Sequence, residues 1–160
     1  MKNLEQLSST LLILVALFTL SSCKKDKDAE NGPDSSSKFT DQGKTIVVGG
    51  ADYREGNGEG GWIYFTSKDF TGIVQVRFKG LANFALPTGS FSYKSKASIN
   101  PYDPAKNFEG VQVGIDNVND EFNGGTVKIA KDAEQYTIDL DVTTGKGSLK
   151  GQFKGTLKKI

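Results

Sequence analysis

Histidine is absent from the sequence, and cysteine occurs once, at position 23. Without imidazole there is no Ser/His or Cys/His nucleophile pair, no histidine general base and no histidine-ligated zinc. A single thiol also excludes an intramolecular disulfide. Catalysis by carboxylates, lysine or tyrosine remains open to such a chain, but no arrangement of these residues stands out. We therefore expect a protein that is not an enzyme, uses no cofactor and holds no metal.

An excess of charge of either sign is also lacking. The 20 lysine and arginine residues are balanced by 19 acidic residues, and they alternate along the chain as on an ordinary solvated surface. A protein that binds nucleic acid needs a surplus of positive charge to neutralise phosphates. We therefore expect no nucleic-acid partner.

The one long apolar run lies near the amino terminus. Leu11 to Leu20 is apolar apart from one threonine, and Lys2 precedes it. A membrane-spanning helix needs about 20 apolar residues, whereas the apolar core of a secretory signal peptide needs about 7–15. Residues 1–22 are therefore predicted to be a signal peptide.

Leu20-Ser21-Ser22-Cys23 directly follows this run. The tetrapeptide resembles the lipobox of bacterial lipoproteins, in which an aliphatic residue and two small residues precede a lipidated cysteine. The resemblance implies lipid on Cys23, membrane attachment and a place in the cell envelope, as an outer-membrane lipoprotein on the periplasmic face or at the cell surface. The alternative is an ordinary secretory signal with an unmodified thiol. Residues 23–37 are rich in charge, Gly, Pro and Ser, which predicts a disordered tether.

Residues 38–160 are predicted to form a single all-β domain, because apolar and polar residues alternate with period two. In Tyr136–Val142 this pattern places Tyr136, Ile138, Leu140 and Val142 on one face. Turn-forming Gly, Asn, Asp and Pro separate about eight such runs. The predicted strands are Thr45–Val48, Trp62–Thr66, Ile73–Phe78, Ser90–Tyr93, Val111–Ile115, Thr126–Ile129, Tyr136–Val142 and Ser148–Leu157.

An antiparallel β-sandwich is the preferred architecture, because the loops are unequal and the long run Ser148–Leu157 can bend to serve two sheets. A closed, lipocalin-like β-barrel is the alternative. The final third, Gly124–Val142 followed by Gly147–Leu157, resembles the strand-turn-strand ending of small all-β envelope lipoproteins of the Bacteroidota type. That resemblance implies fold and location but no functional residue. Gly151 and Gly155 are predicted to mark bends or close approaches inside the last strand.

One glycine-rich segment, Asp52–Trp62, is the main candidate for a binding site. As a loop, it would offer Tyr53 and Trp62 to a sugar ring, while Asp52 and Glu55 accept hydrogen bonds from its hydroxyl groups. The interpretation that we prefer is a long flexible hairpin loop whose Trp62 turns into the core.

Two other segments are weaker candidates. Tyr102 lies in a proline-containing stretch that is predicted to be an exposed loop and a further ligand contact. Asp116–Asn123 is rich in oxygen ligands but departs from the EF-hand pattern, so a turn is predicted there.

These features together favour a non-enzymatic binding or accessory module that is held to the membrane through Cys23, with polysaccharide as the expected ligand. A structural or protein-interaction lipoprotein with an envelope protein as its partner is the alternative.

Overall fold

The computed structural model describes residues 32–56, 60–79, 86–95, 97–116, 118–144 and 147–160. These residues belong to one compact unit, Asn31–Ile160. The predicted signal peptide, Cys23 and the first part of the predicted tether lie outside the described residues.

Twelve strands make up the described chain, which contains no helix, so the all-β prediction is confirmed. The strands are β1 Lys38–Asp41, β2 Lys44–Gly56, β3 Gly60–Ser67, β4 Gly72–Lys79, β5 Gly89–Tyr93, β6 Asn107–Phe108, β7 Gly110–Ile115, β8 Val118–Phe122, β9 Gly124–Asp132, β10 Gln135–Thr143, β11 Ser148–Gly155 and β12 Lys158–Lys159.

All twelve strands belong to one curled, mixed sheet that forms a half-barrel. Its order is β6-β5-β9-β10-β11-β1-β2-β3-β4-β7-β8, and β12 pairs with β2 outside this path. Neighbouring strands are antiparallel except for the short pairs β5–β6 and β12–β2, which are parallel. We call the strands from β6 to β1 in this order the first half, and β3, β4, β7, β8 and β12 the second half.

Strand β2 joins the two halves. Its beginning pairs with β1 and its end pairs with β3, and the register shifts between Val48 and Gly50. Such bulges bend a strand and let it pass from one sheet direction to another. The end of the chain connects the two halves less than β2 does, because β11 stays in the first half and only the short β12 reaches the second. The architecture thus combines the facing layers of a sandwich with the continuous hydrogen bonding of a barrel.

The hydrophobic core lies on the inner face of the half-barrel. In the β9–β10 pair, Ile138 lies opposite Ile129 and Leu140 lies opposite Val127, and all four side chains are buried. Aromatic contacts then join the halves. Phe65 of β3 contacts Phe39 of β1 and Phe153 of β11, at ring-centroid distances of 4.9 and 5.2 Å.

The folded unit begins before Lys38. Ser37 is buried, and its hydroxyl donates to the carbonyl of Lys154 (3.0 Å) and accepts from its N–H (2.9 Å). The N–H of Asp34 donates to the same carbonyl (2.7 Å). The last residues of the predicted tether, 34–37, are therefore bound to β11 and belong to the domain.

Candidate functional site

The main candidate segment is a strand and not a loop as far as Gly56. Asp52, Tyr53, Arg54 and Glu55 lie in β2 and pair with residues of β3, which corrects the sequence-based loop prediction. Glycines predict turns, but here they lie at the end of a hairpin whose ladder continues to the Gly56–Gly60 pair. Because side chains alternate along a strand, Asp52 and Arg54 point to the outer face, whereas Tyr53 and Glu55 point to the inner side.

Trp62 lies on the outer face of β3, between the buried inward residues Gly61 and Ile63. The prediction of a core tryptophan is therefore wrong, although the ring is half-buried. Its six-membered ring covers Gly56, where any Cβ would overlap with indole carbons Cζ3 and Cη2. Glycine at position 56 thus lets the indole lie along the sheet surface.

Tyr64 lies two residues after Trp62 on the same outer face and is not among the site residues that the sequence predicts. The guanidinium of Arg54 lies over its ring, with Cζ 4.7 Å from the centroid, and the side-chain amide of Gln75 donates to its hydroxyl (3.3 Å). The i, i+2 spacing of the two aromatic residues in a predicted strand was a signal in the sequence that could have identified it.

Six neighbouring side chains form what we call the outer patch. Arg77 lies opposite Trp62 on β4, and Gln75 lies opposite Tyr64. The members of the outer patch are Asp52, Arg54, Trp62, Tyr64, Gln75 and Arg77.

Two charged members of the outer patch each have a buried atom without a hydrogen bond. Within the described residues, only three buried side-chain polar atoms lack a hydrogen bond, and Asp52 Oδ1 and Arg77 Nε are two of them. Asp52 Oδ1 has an ion-pair partner instead, since Nε of Arg54 lies 3.6 Å from it, and Arg77 pairs with Glu121 through a different nitrogen of its guanidinium. The patch therefore combines two aromatic rings with polar groups whose hydrogen-bonding capacity is not filled by the protein.

Tyr53, Glu55 and Tyr102 do not join this patch. Tyr53 is half-buried against the core, and Glu55 is exposed on the other side of β2. The Tyr102 hydroxyl donates to the carbonyl of Asn107 (2.7 Å) and accepts from the N–H of Lys79 (3.1 Å). Burial raises the pKa of Tyr102 above its ordinary value. Tyr102 thus binds its loop to β4 and β6. Of the five predicted ligand contacts, only Asp52 and Trp62 belong to the outer patch.

The described part of the chain shows neither a metal centre nor a membrane-spanning helix. No group of three or more His, Cys, Asp or Glu side chains in it is placed to hold a metal ion. None of the described residues belongs to a helix with the length and hydrophobicity that crossing a bilayer requires. The chain matches no protein-family model, no curated protein and no solved structure.

Proposed function

We propose that this chain is a membrane-anchored lipoprotein of the cell envelope that binds glycans through the outer patch without catalysing a reaction. The observation that carries the proposal is the placement of Trp62 and Tyr64 side by side on an outward sheet face, among charged and amide side chains. The sequence-based hypothesis had the same ligand class, but Tyr64 now takes the place of Tyr53.

The chemistry of a sugar suits such a surface. One face of a pyranose ring presents C–H groups, which pack against an aromatic ring, while each hydroxyl both donates and accepts hydrogen bonds. The outer patch supplies a carboxylate acceptor in Asp52, guanidinium donors in Arg54 and Arg77, and an amide with both functions in Gln75. Apolar area with a few placed polar groups is the usual composition of small-molecule sites.

Replacing Trp62 by alanine is expected to weaken glycan binding by about tenfold or more, because aromatic anchors carry most of the energy of such contacts. Tyr64→Ala is expected to act in the same direction. The measurement is a polysaccharide array followed by titration of the best ligand, using the full-length chain purified in detergent.

Phe70→Ala is the matched control for this experiment. Phe70 is 85% exposed in the turn between β3 and β4, so its loss removes an exposed aromatic ring elsewhere on the domain. Its binding should equal that of the unchanged chain. Silence across diverse polysaccharides, or equal loss in the Phe70 and Trp62 variants, would count against the proposal.

The membrane anchor is a separate part of the proposal and rests on the lipobox-like sequence before Cys23. Cys23→Ser removes the sulfur that accepts the lipid, so we expect the variant to leave the membrane fraction while the unchanged chain stays in it. Ser22→Ala keeps a small residue before the cysteine and should remain membrane-bound. Fractionation and mass spectrometry of the mature protein measure this, and a bare thiol on the membrane-bound chain would contradict it.

A protein-interaction role is the second candidate, and the exposure of Phe70 favours it. This residue has a φ of +61°, a conformation that costs energy for a bulky side chain. Two residues before it in the same turn, the N–H of Lys68 donates to the carbonyl of the exposed Val47 (2.8 Å). A partner protein that loses affinity for Phe70→Ala, but not for Trp62→Ala, would favour this role over glycan binding.

A further inference from the structure

A small pocket opens at one end of the half-barrel, away from the outer patch. It lies where the β1–β2 hairpin approaches edge strand β8, and side chains bridge these elements. The side-chain amide of Gln42 donates to Asp120 (3.4 Å), and Lys44 Nζ lies 3.4 Å from Asp116 Oδ2. The pocket has a volume of about 210 Å³, and we call it the end pocket. It is lined by Asp41, Gln42, Lys44, Val113, Ile115, Val118 and Asp120.

Asp41 is the unusual residue of the end pocket. It lies on the inner face of β1, two residues after the buried Phe39, and is only 6% exposed. Its Oδ1 is the third buried polar atom of the described chain that lacks a hydrogen bond. A buried carboxylate oxygen without a hydrogen bond is costly, so a position of this kind points to a group that completes it.

The electrostatics of the end pocket favour a positively charged ligand. Burial raises the pKa of the Asp41 carboxyl, the Asp120 carboxylate raises this pKa further, and the Lys44 ammonium lowers it. Lys44 forms its ion pair with Asp116 and leaves Oδ1 of Asp41 without a hydrogen bond. Around the pocket, three carboxylates (Asp41, Asp116 and Asp120) therefore face one ammonium.

The pocket walls indicate an organic cation and not a metal ion. Val113, Ile115 and Val118 form an apolar wall, and Val113 lies opposite Asp120 in the β7–β8 pair. Two carboxylates beside a lysine make a poor metal cage, whereas an alkylammonium places its charge on the carboxylates and its methylene groups on the valines. The volume is below the ~300–1,000 Å³ of drug-sized sites, so the ligand must be small.

We propose that the end pocket is a binding site for a small primary ammonium compound. Its ammonium group donates hydrogen bonds to Asp41 and Asp120, and its short aliphatic part packs on Val113 and Val118. This site uses residues that the glycan proposal does not use, so either proposal can fail without the other.

The test is a titration of the full-length chain in detergent with n-butylammonium chloride, followed through backbone amide chemical shifts. We expect saturable shifts at the residues of the end pocket and no such shifts with n-butanol, which has the same length but no charge. Asp41→Asn should weaken the binding by about tenfold or more, because it removes a charge-assisted hydrogen bond. In the unchanged chain, affinity should fall as the pH is lowered and a proton occupies Asp41.

Asp139→Asn is the matched control, because this half-buried carboxylate lies on the outer face of β10, away from the end pocket, and accepts from Gln152 (2.6 Å). Its affinity should equal that of the unchanged chain. Since Asp41→Asn removes a buried charge, it should fold at least as well as the parent, and Asp120→Asn provides a second test from the edge strand. The proposal would be overturned if Asp41→Asn and Asp120→Asn both bound n-butylammonium as tightly as the unchanged chain, or if n-butanol bound as tightly as n-butylammonium. Binding of calcium chloride that depends on Asp41, without binding of n-butylammonium, would also overturn it.

Discussion

Phe65→Ala is expected to lower the free energy of unfolding by about 3–5 kcal/mol, the usual cost of emptying a well-packed phenylalanine site. The ring is fully buried and contacts Phe39 and Phe153, so its removal opens a cavity between the two halves of the half-barrel. Ordinary domains have a total stability of about 5–15 kcal/mol, so the variant should lose a large part of it. The midpoint of urea unfolding measures the effect.

Phe70→Ala is the control here as well, because the same substitution at an exposed ring should change stability by no more than about 0.5 kcal/mol. The slope of the unfolding free energy against urea concentration should be the same in both variants and in the unchanged chain. A shift of the midpoint then reports a change in stability. A midpoint for Phe65→Ala close to that of Phe70→Ala would mean that the two halves are not held together by this aromatic cluster.

The strands that the sequence predicted are those whose inward positions are all apolar. Tyr136–Val142 is an example, since burial of every second residue leaves a period-two pattern that needs no tertiary information. Four strands were missed. β6 and β12 have only two residues each, too few to show alternation, whereas the short β1 and β8 each carry an inward carboxylate, Asp41 in β1 and Asp120 in β8. Local rules are expected to fail where a side chain serves something other than packing, and β1 and β8 meet at the end pocket.

The composition of the outer patch was only partly predictable. Asp52 and Trp62 were identified from residue type, and the structure places both on the outer face. The loop prediction for the glycine-rich segment groups Tyr53 and Glu55 with them, because neighbouring residues of a loop can share a surface. Once the segment is a strand, alternation sends Tyr53 to the inner side and brings in Tyr64 from the paired strand. Such pairing depends on register, which no single segment of sequence contains.

Gly151→Ala is expected to destabilise the domain by roughly 2–4 kcal/mol, combining backbone strain with the displacement of a packed strand. Gly151 has a φ of +152°, and a Cβ there would lie 2.7 Å from Phe39 Cα and overlap with the carbonyl oxygen of Lys38. The sequence-based prediction of a close approach at this glycine is confirmed. Because β1 must move to admit the methyl group, the loss of stability should be accompanied by shifts at Asp41, two residues further along β1. Urea unfolding and amide chemical shifts measure the two effects.

Gly50→Ala separates this steric effect from the general cost of replacing a glycine in a strand. No atom lies within 4 Å of a Cβ built at Gly50, so the methyl group fits and stability should change by no more than about 0.5 kcal/mol. Both glycines lie in strands at the junctions around β1 and β2, and they differ in whether a neighbouring backbone occupies the space. If the two substitutions cost the same, the tight packing of β1 on β11 does not determine stability at this junction. If Gly151→Ala alone is costly, the half-barrel depends on that close approach.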